Sequence, residues 1–206
     1  MPAFIYYFKL LYPFSISNDP NRLKVAAAAG GCILMESAVL RDMGGFSAIR
    51  GALIDDCALA KHVKTNGNKT WIGLTHSARS IRPSDHFDTM FRMIARSAFT
   101  QLGYSTLLLM GLSLLLAAMY WAPLVAIFSG SLLATTLGLA TLLAMMLSYM
   151  PTLKYYYLSR AWALAMPLAG TVFWAATWYS AMRYWRGHRS AWKGRAYAKT
   201  TPSKMN

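Results

Sequence analysis

Residues 97–153 read SAFTQLGYSTLLLMGLSLLLAAMYWAPLVAIFSGSLLATTLGLATLLAMMLSYMPTL, and none of these side chains is charged. A helix crosses the hydrocarbon core of a bilayer, about 30 Å thick, with about 20 apolar residues. The uncharged run is therefore long enough for two crossings, and it is too long for the core of so short a soluble domain. The run predicts an integral membrane protein.

Aromatic residues indicate where the spans end, because Tyr and Trp concentrate at membrane interfaces. Tyr104 and Trp121 flank a first span at 104–122, and further spans are predicted at 124–150 and 161–182. Three crossings, with the first hundred residues in the cytoplasm, would place the basic C-terminal tail outside, against the positive-inside tendency. Two crossings with one re-entrant or interfacial segment would avoid this conflict, and the sequence leaves both arrangements open.

The composition predicts the same class. Of the 206 residues, 56% are hydrophobic and only 14% are charged, which is typical of a protein with several membrane spans. All seven acidic residues precede residue 89, and the net charge is +14. A basic tail beside membrane spans favours anionic lipid headgroups, at about 1 kcal/mol per surface Lys or Arg, over nucleic acid. We therefore expect a membrane partner and no nucleic acid.

The N-terminal segment at 1–15 is aromatic and apolar, but Lys9 interrupts it, and it lacks the basic start and the cleavage site of a signal peptide. It predicts a helix in the headgroup region of the membrane. The two cysteines, Cys32 and Cys57, have no CxxC spacing, and the four histidines have no recurrent metal-ligand spacing. Neither a structural disulfide nor a metal site is predicted within these residues.

Residues 16–100 predict an α/β fold, because short apolar runs alternate with helical patterns. Gly44-Gly45 and Asn66-Gly67 supply left-handed stops after two of the helices. A further helix is expected to begin at Ser84, with acidic residues in its first turn, and to lead towards the membrane. The predicted strands are 28–35, 70–74 and 78–81, and the predicted helices within this region are 37–43 and 55–65.

Asp55 and Asp56 open one of these predicted helices. An aspartate at a helix start accepts backbone N–H groups, so capping explains one of them as readily as catalysis does. Two adjacent carboxylates are harder to explain by capping, because one of them must face elsewhere. Arg50, Lys61 or Lys64 could hold that one in a salt bridge, or it could serve as an acid or a base.

Two other sets of residues are candidates for ligand binding. Gly30-Gly31-Cys32 follows four alanines, so a ligand could approach this backbone closely, although an ordinary turn would have the same sequence. Arg92 and Arg96 lie four residues apart on one face of a helix that precedes the first span. They could anchor that helix to phosphate headgroups, or they could hold a diphosphate, which needs fixed and permanently charged donors.

Seven stretches of the chain form a recognisable set: NDP at 18–20, AAGGC at 28–32, GGF at 44–46, AIRGALIDDCALA at 48–60, WIGLT at 71–75, ARSAFTQL at 95–102 and WKGR at 192–195. This set resembles the hopene-associated glycosyltransferases, which are membrane members of glycosyltransferase family 2. The resemblance covers nearly the whole chain but only the latter part of the family's proteins. It implies the C-terminal half of a GT-A domain at 16–100, followed by transmembrane helices at 104–183 and a basic tail at 184–206.

The resemblance also implies roles for individual residues. In family 2 enzymes a Glu-Asp pair follows the acceptor-side glycines, and its Asp is the general base; the matching position is Asp56, with Asp55 in place of Glu. A later motif of the family helps to hold the nucleotide diphosphate. Its best match is Arg96, and Met93 and Ser97 depart from the pattern.

Other parts of the family's pattern are missing from these 206 residues. The nucleotide-binding strands and the metal-holding Asp-x-Asp precede the matched part in the family, and no Asp-x-Asp occurs in this sequence. We expect the intact enzyme to use a divalent metal, Mg²⁺ or Mn²⁺, with ligands outside this chain. We also expect this chain alone to be an inactive fragment.

The function implied by the resemblance is inverting transfer of a sugar from a nucleotide sugar to a lipid hydroxyl, with hopanoids as a possible association. The expected location is the bacterial inner membrane, with several crossings and the catalytic part facing the cytoplasm. The alternative is a small integral membrane protein without catalysis, such as an accessory subunit. That alternative leaves the Asp55-Asp56 block without a function.

Overall fold

The structure is a computed structural model that describes residues 2–78, 86–187, 191–192 and 195–196. The chain divides into two compact units. Unit 1 comprises Met1–Tyr7 and Asp85–His188, and unit 2 comprises Phe8–Ser84 and Arg189–Asn206.

Helices dominate the described residues. The α-helices are α1 (Pro2–Leu11), α2 (Phe14–Asn18), α3 (Ser37–Asp42), α4 (Asp55–Thr65), α5 (Phe87–Gln101), α6 (Thr106–Leu116), α7 (Ala122–Ile127), α8 (Leu132–Tyr155) and α9 (Met166–Trp185). Gly45–Ile49 and Arg160–Ala165 are 3₁₀ helices, and Ala117–Trp121 is a π-helix. The strands β1 (Ala191–Trp192) and β2 (Arg195–Ala196) are two residues long and antiparallel.

The predicted α/β fold, a partial GT-A domain, is wrong. Apart from β1 and β2, the described part of the chain contains no strand. The run at 28–35 is interrupted by a turn, in which the N–H of Cys32 donates to the carbonyl oxygen of Ala29 at 3.0 Å. An extended run becomes a strand only where a neighbouring strand satisfies its backbone groups, and within the described residues the runs at 28–35 and 70–74 have no such neighbour. Most of the third predicted strand, 78–81, lies outside the described residues.

A side chain takes the place of a neighbouring strand at Ile72, within the predicted strand 70–74. Asn18 Nδ2 donates to the carbonyl oxygen of Ile72 at 3.0 Å, and the N–H of Ile72 donates to Asn18 Oδ1 at 2.7 Å. Both backbone groups of Ile72 are thereby satisfied, so its buried side chain can pack with Ala27 and Cys57 without a sheet. The apolar pattern of this segment reflects burial rather than strand pairing.

Two helices in the described ranges are long and apolar enough to cross a membrane. They are the continuous helix Thr106–Ile127, of 22 residues, and Leu132–Tyr155, of 24 residues. Only 17% of the most apolar part of each is buried within the protein, which distinguishes them from the core helices of a soluble domain. The predicted third span at 161–182 falls on the 3₁₀ helix at 160–165 and on α9. Helix α9 is not among the helices that are long and apolar enough to cross a membrane, so this span stays a prediction.

The first apolar helix contains a π-turn for a reason visible in the sequence. Pro123 has no N–H to donate, and its ring crowds the carbonyl group four residues earlier. Widening of the preceding turn into the π-helix Ala117–Trp121 accommodates the proline without ending the helix. The chain then turns at Gly130, which has φ 74°, and Ser131 begins α8 by accepting the N–H of Ala134.

Hydrogen bonds of side-chain hydroxyl groups join the elements of unit 1. Ser113 Oγ of α6 accepts the indole N–H groups of Trp174 at 3.0 Å and Trp178 at 2.8 Å, both on α9. The first turns of α1 are held by two further bonds, Tyr7 to Tyr120 at 2.6 Å and Tyr6 to Ser148 at 2.8 Å. The structure has a helix in the predicted segment 1–15, namely α1 over Pro2–Leu11. Its location in the headgroup region stays a prediction.

Unit 2 is organised around α4. Leu59 and Val63 pack with Met43 in one apolar cluster, while Cys57 belongs to a second. Lys64 is only 1% exposed, and its ammonium group donates to three backbone carbonyl oxygens, those of Ile16 at 3.3 Å, Ser17 at 3.0 Å and Val25 at 2.8 Å. These three bonds use every donor of the ammonium group and attach the segments before the Gly30 turn to α4.

Candidate functional site

The candidate site begins at the N-terminus of α4, which covers Asp55–Thr65 as the sequence predicted. Asn66 follows the helix, and Gly67, with φ 81°, supplies the predicted left-handed stop. Ile54 occupies the capping position and provides no side-chain hydrogen bond, so Asp55 and Asp56 lie within the first turn. The partial positive charge of the helix start favours carboxylates at these two positions.

The two carboxylates have different partners. Asp55 Oδ1 accepts only the N–H of the adjacent residue, at 3.1 Å. Asp56 Oδ1 accepts the N–H of Cys57 at 2.8 Å, and Asp56 Oδ2 accepts the N–H of Gly30 at 2.9 Å. Asp56 therefore reaches a residue 26 positions away, which helix capping alone does not require. Each carboxylate oxygen has a second lone pair, so Asp56 can still accept a proton or a hydrogen bond from a ligand.

Gly30 lies so close to Asp56 that a larger residue at this position would require the Asp56 carboxylate to shift. A Cβ atom built on Gly30 would lie 3.1 Å from Asp56 Oδ2 and 3.4 Å from Asp56 Cβ. The same atom built on Gly31 would have nothing within 4 Å. The structure thus brings two of the predicted site residues, Gly30 and Asp56, into direct contact, and it leaves the backbone of Gly31 open to solvent.

Among the residues that the structure describes, none forms a salt bridge with Asp56. Across residues 2–78 and 86–187 the ion pairs are Arg22 with Asp19 and Arg92 with Asp88. The alternative that Arg50, Lys61 or Lys64 neutralises one of the α4 carboxylates is therefore not seen; Arg50 and Lys61 are exposed, and Lys64 donates to carbonyl groups instead. Asp56 is half-buried, which leaves it accessible to a ligand.

The two cysteines differ in environment. Cys32, a predicted binding residue, is exposed, and Cys57 is buried. Burial raises the pKa of the Cys57 thiol, with the nearby Asp56 carboxylate adding to the effect and a backbone hydrogen bond opposing it. Cys57 Sγ donates to the carbonyl oxygen of Ala28 at 3.9 Å. Cys57 is thus a protonated packing residue that supports the segment leading to Gly30, and not a nucleophile.

Arg92 and Arg96 lie in unit 1, on α5. Arg92 forms a two-point ion pair with Asp88, with Nε to Oδ1 and Nη2 to Oδ2 both 2.9 Å. Both side chains are exposed, so this pair contributes less than about 1 kcal/mol and can exchange its carboxylate for a phosphate. Arg96 is half-buried on the same helix. Their role in diphosphate binding stays a prediction.

Some predicted features lie outside the described residues. These are Ser84, where a helix is expected to begin, the acidic residue Asp85 that follows it, most of the basic tail at 184–206, and Lys193-Gly194 of the WKGR motif. Within the described ranges, no group of three or more His, Cys, Asp or Glu side chains could hold a metal ion. The described side chains therefore do not fit a resident divalent metal.

Sequence reasoning missed two features of unit 2. The sequence offers Lys64 as a possible salt-bridge partner, whereas in the structure it is a buried donor to backbone carbonyl groups. The available signal was its position one turn after Ala60, on the buried side of α4. The second feature is a groove beside α4, lined in part by Arg50, Lys61 and His62. Nothing in the spacing of these residues indicated that they share one groove.

Comparison with protein families identifies the class of protein. Residues 17–201, most of the chain, match the family described as Glycosyl transferase family 21. The chain is a glycosyltransferase, and it belongs to glycosyl transferase family 21. The predicted class is thus confirmed, whereas the assignment to family 2 and to the hopene-associated enzymes gains no support. Comparison with curated proteins and with solved structures gives no match.

Proposed function

We propose that this glycosyltransferase transfers a sugar from a nucleotide diphosphate donor to a hydroxyl group of a membrane lipid, with inversion, and that Asp56 is the general base. One observation carries the proposal. The Asp56 carboxylate is oriented by Gly30 across 26 residues, is free of any ion pair with the described residues, and lies beside a backbone turn at Gly30-Gly31 that has no side-chain bulk.

The chemistry assigned to Asp56 is a single proton transfer. As the acceptor oxygen attacks the anomeric carbon, the bond from that carbon to the donor diphosphate breaks, and the hydroxyl proton passes to Asp56. Donation by the N–H groups of Gly30 and Cys57 fixes the carboxylate plane, which limits the positions from which a hydroxyl can approach. Asp55 has only a local contact and is assigned to helix stabilisation rather than to proton transfer.

A lipid acceptor is supported by the two apolar helices. The largely exposed surfaces of Thr106–Ile127 and Leu132–Tyr155 are suited to lipid, and family membership adds to the case for a membrane protein. A lipid that carries a hydroxyl can keep its hydrocarbon part in the bilayer while only the polar group reaches the site. We place the catalytic part on the cytoplasmic side of a bacterial inner membrane, where nucleotide sugars are available.

The donor side of the reaction is assigned to Arg96 and Arg92, whose guanidinium groups suit a diphosphate. Mg²⁺ or Mn²⁺, as the resemblance implies, would take up charge on the departing diphosphate. The described side chains do not form a site for this ion, so its ligands are proposed to lie elsewhere and no step is routed through it.

The proposed function is tested by a transfer assay in membranes. The 206-residue chain, and separately the product of the complete reading frame that encodes it, are supplied with a panel of labelled nucleotide diphosphate sugars and with lipid alcohols that include a hopanoid. From the product of the complete reading frame we expect a labelled glycolipid whose anomeric configuration, measured by NMR, is opposite to that of the donor. Retention of configuration, or a water-soluble product as the only acceptor product, would contradict the proposal.

A further inference from the structure

A groove runs along one side of α4 and has no role in the proposed reaction. It lies between α4 and the 3₁₀ helix Gly45–Ile49 with the residues that follow, and its volume is about 320 Å³. This volume is at the lower end of the range of small-ligand sites, about 300–1,000 Å³. Arg50 comes from one wall, and Lys61 and His62 come from the other.

The groove is separate from the Asp56 site. Successive residues of an α-helix are rotated by about 100°. Lys61, His62 and Thr65, which line the groove, therefore lie on the opposite side of α4 from Asp56. A ligand in the groove would not contact the proposed general base, so this site neither supports nor weakens the assignment of Asp56.

The charges in the groove are of one sign. Apart from Arg50, Lys61 and His62, its lining consists of three alanines, Ile49 and Thr65, with no acidic residue among the described ones. Arg50 and Lys61 are exposed and are not members of either ion pair within the described ranges. His62 Nε2 lies 3.2 Å from the carbonyl oxygen of Met43, which fixes its ring at the edge of the groove.

Stabilisation of the helix end does not explain this arrangement. Basic side chains near the C-terminus of a helix interact favourably with its dipole, which would account for Lys61 and His62 on α4. It does not account for Arg50, which belongs to the opposite wall. Two basic side chains that line one groove from opposite walls, with no acidic residue among the described lining, form an arrangement suited to an anion.

We propose that the groove between Arg50 and Lys61 binds a phosphate group. The guanidinium of Arg50 supplies a planar pair of donors, and the ammonium of Lys61 supplies a point charge from the other wall. A phosphate in solution and the phosphate of a lipid headgroup share this chemistry, so the probe decides between the two sources.

The experiment uses the ¹³C-labelled imidazole signals of the full chain. The His62 signal is assigned by the loss of one peak in His62→Gln, and His76 is the internal reference because it does not line the groove. One arm titrates detergent-solubilised protein with pyrophosphate. The other compares nanodiscs of phosphatidylcholine with nanodiscs that also contain phosphatidic acid. We expect a saturable shift of the His62 signal in at least one arm, with little change at His76.

A matched pair of variants separates a specific site from general attraction to a protein of net charge +14. Arg50→Gln/Lys61→Gln and Lys24→Gln/Lys69→Gln each remove two exposed positive charges. Arg50→Gln/Lys61→Gln should raise the apparent Kd of the titration about tenfold or more. Lys24→Gln/Lys69→Gln should change that Kd by less than about twofold.

The arms identify the source of the phosphate. A response to pyrophosphate supports a soluble ligand, and a response to phosphatidic acid alone supports a lipid headgroup. No saturable shift of the His62 signal in either arm, or equal weakening by the two pairs of variants, would overturn the proposal. Whether the His62 signal shifts is decided by the wild-type protein, so this result stands even if a double variant does not fold.

Discussion

Gly30 is the residue whose size is most tightly limited by the candidate site. Its N–H donates to Asp56 Oδ2, and a Cβ atom at this position would lie 3.1 Å from the same oxygen. Any larger residue must displace either the turn or the carboxylate. Because the carboxylate is the flexible partner, the catalytic geometry would change before the fold does.

We predict that Gly30→Ala lowers the rate of sugar transfer by roughly tenfold to a hundredfold, because it moves the proposed base out of position. The control is Gly31→Ala, since a Cβ atom at Gly31 has nothing within 4 Å and both glycines lie outside the left-handed region. Initial rates and thermal melting are measured for both variants of the product of the complete reading frame. Equal rates in the two variants would show that the contact with Asp56 does not matter for activity.

Lys64 is the residue on which unit 2 most depends for its internal connections. We predict that Lys64→Met lowers the free energy of unfolding by on the order of 3 kcal/mol, because three carbonyl oxygens lose their shared donor. Lys61→Met, an exposed position on the same helix, should change it by less than about 0.5 kcal/mol. Thermal melting in detergent is the measurement, and similar melting temperatures would contradict the role of Lys64.

At the scale of elements, the close packing of α7 against α8 depends on Gly138. A Cβ atom at this position would lie 2.7 Å from the carbonyl oxygen of Pro123, which is backbone and cannot move aside. We predict that Gly138→Ala destabilises the protein by about 1–3 kcal/mol. Gly111→Ala is the matched control, because Gly111 is also helical and has open space around it. A melting temperature unchanged in Gly138→Ala would contradict this packing.

The elements that the sequence predicted well are those determined locally. Helix α4 was predicted from Asp55 to Thr65 because its apolar period, acidic first turn and Gly67 stop are all local signals. The strands failed because a strand depends on a partner, and in unit 2 the side chain of Asn18 satisfies the backbone of Ile72 instead. The apolar periodicity of a buried loop and that of a strand are the same in the sequence.

The candidate site was predictable in its residues but not in its contacts. Gly30 and Asp56 each have a local signal, a glycine pair and a double carboxylate, whereas the hydrogen bond between them spans 26 residues. The buried Lys64 attaches the segment just before Gly30 to α4, because its ammonium group donates to the carbonyl oxygen of Val25. A buried lysine is indistinguishable from a surface lysine in a single sequence, so this part of the geometry required the structure.

At the scale of the whole molecule, the exposed apolar surface of α8 requires an apolar environment. Leu143 is 55% exposed, so in water a cysteine at this position would react with a soluble maleimide. We predict that Leu143→Cys is unreactive in intact membranes and that Ser129→Cys, in the turn before α8, reacts. Both are made in Cys32→Ser, because Cys32 is the exposed native thiol. Reaction of Leu143→Cys in intact membranes would contradict the membrane placement of α8.

The assignment of Asp56 is tested most directly by the rate of sugar transfer of Asp56→Asn relative to that of Asp55→Asn. Both changes are made in the product of the complete reading frame, and the assay uses membranes that contain equal amounts of each protein. Both changes remove one carboxylate charge from the first turn of α4, but only Asp56→Asn removes the proposed proton acceptor. We expect a loss of about 10²–10⁴-fold for Asp56→Asn and less than about tenfold for Asp55→Asn. Transfer by Asp56→Asn at a rate close to that of the unaltered protein would contradict the assignment of Asp56 as the general base.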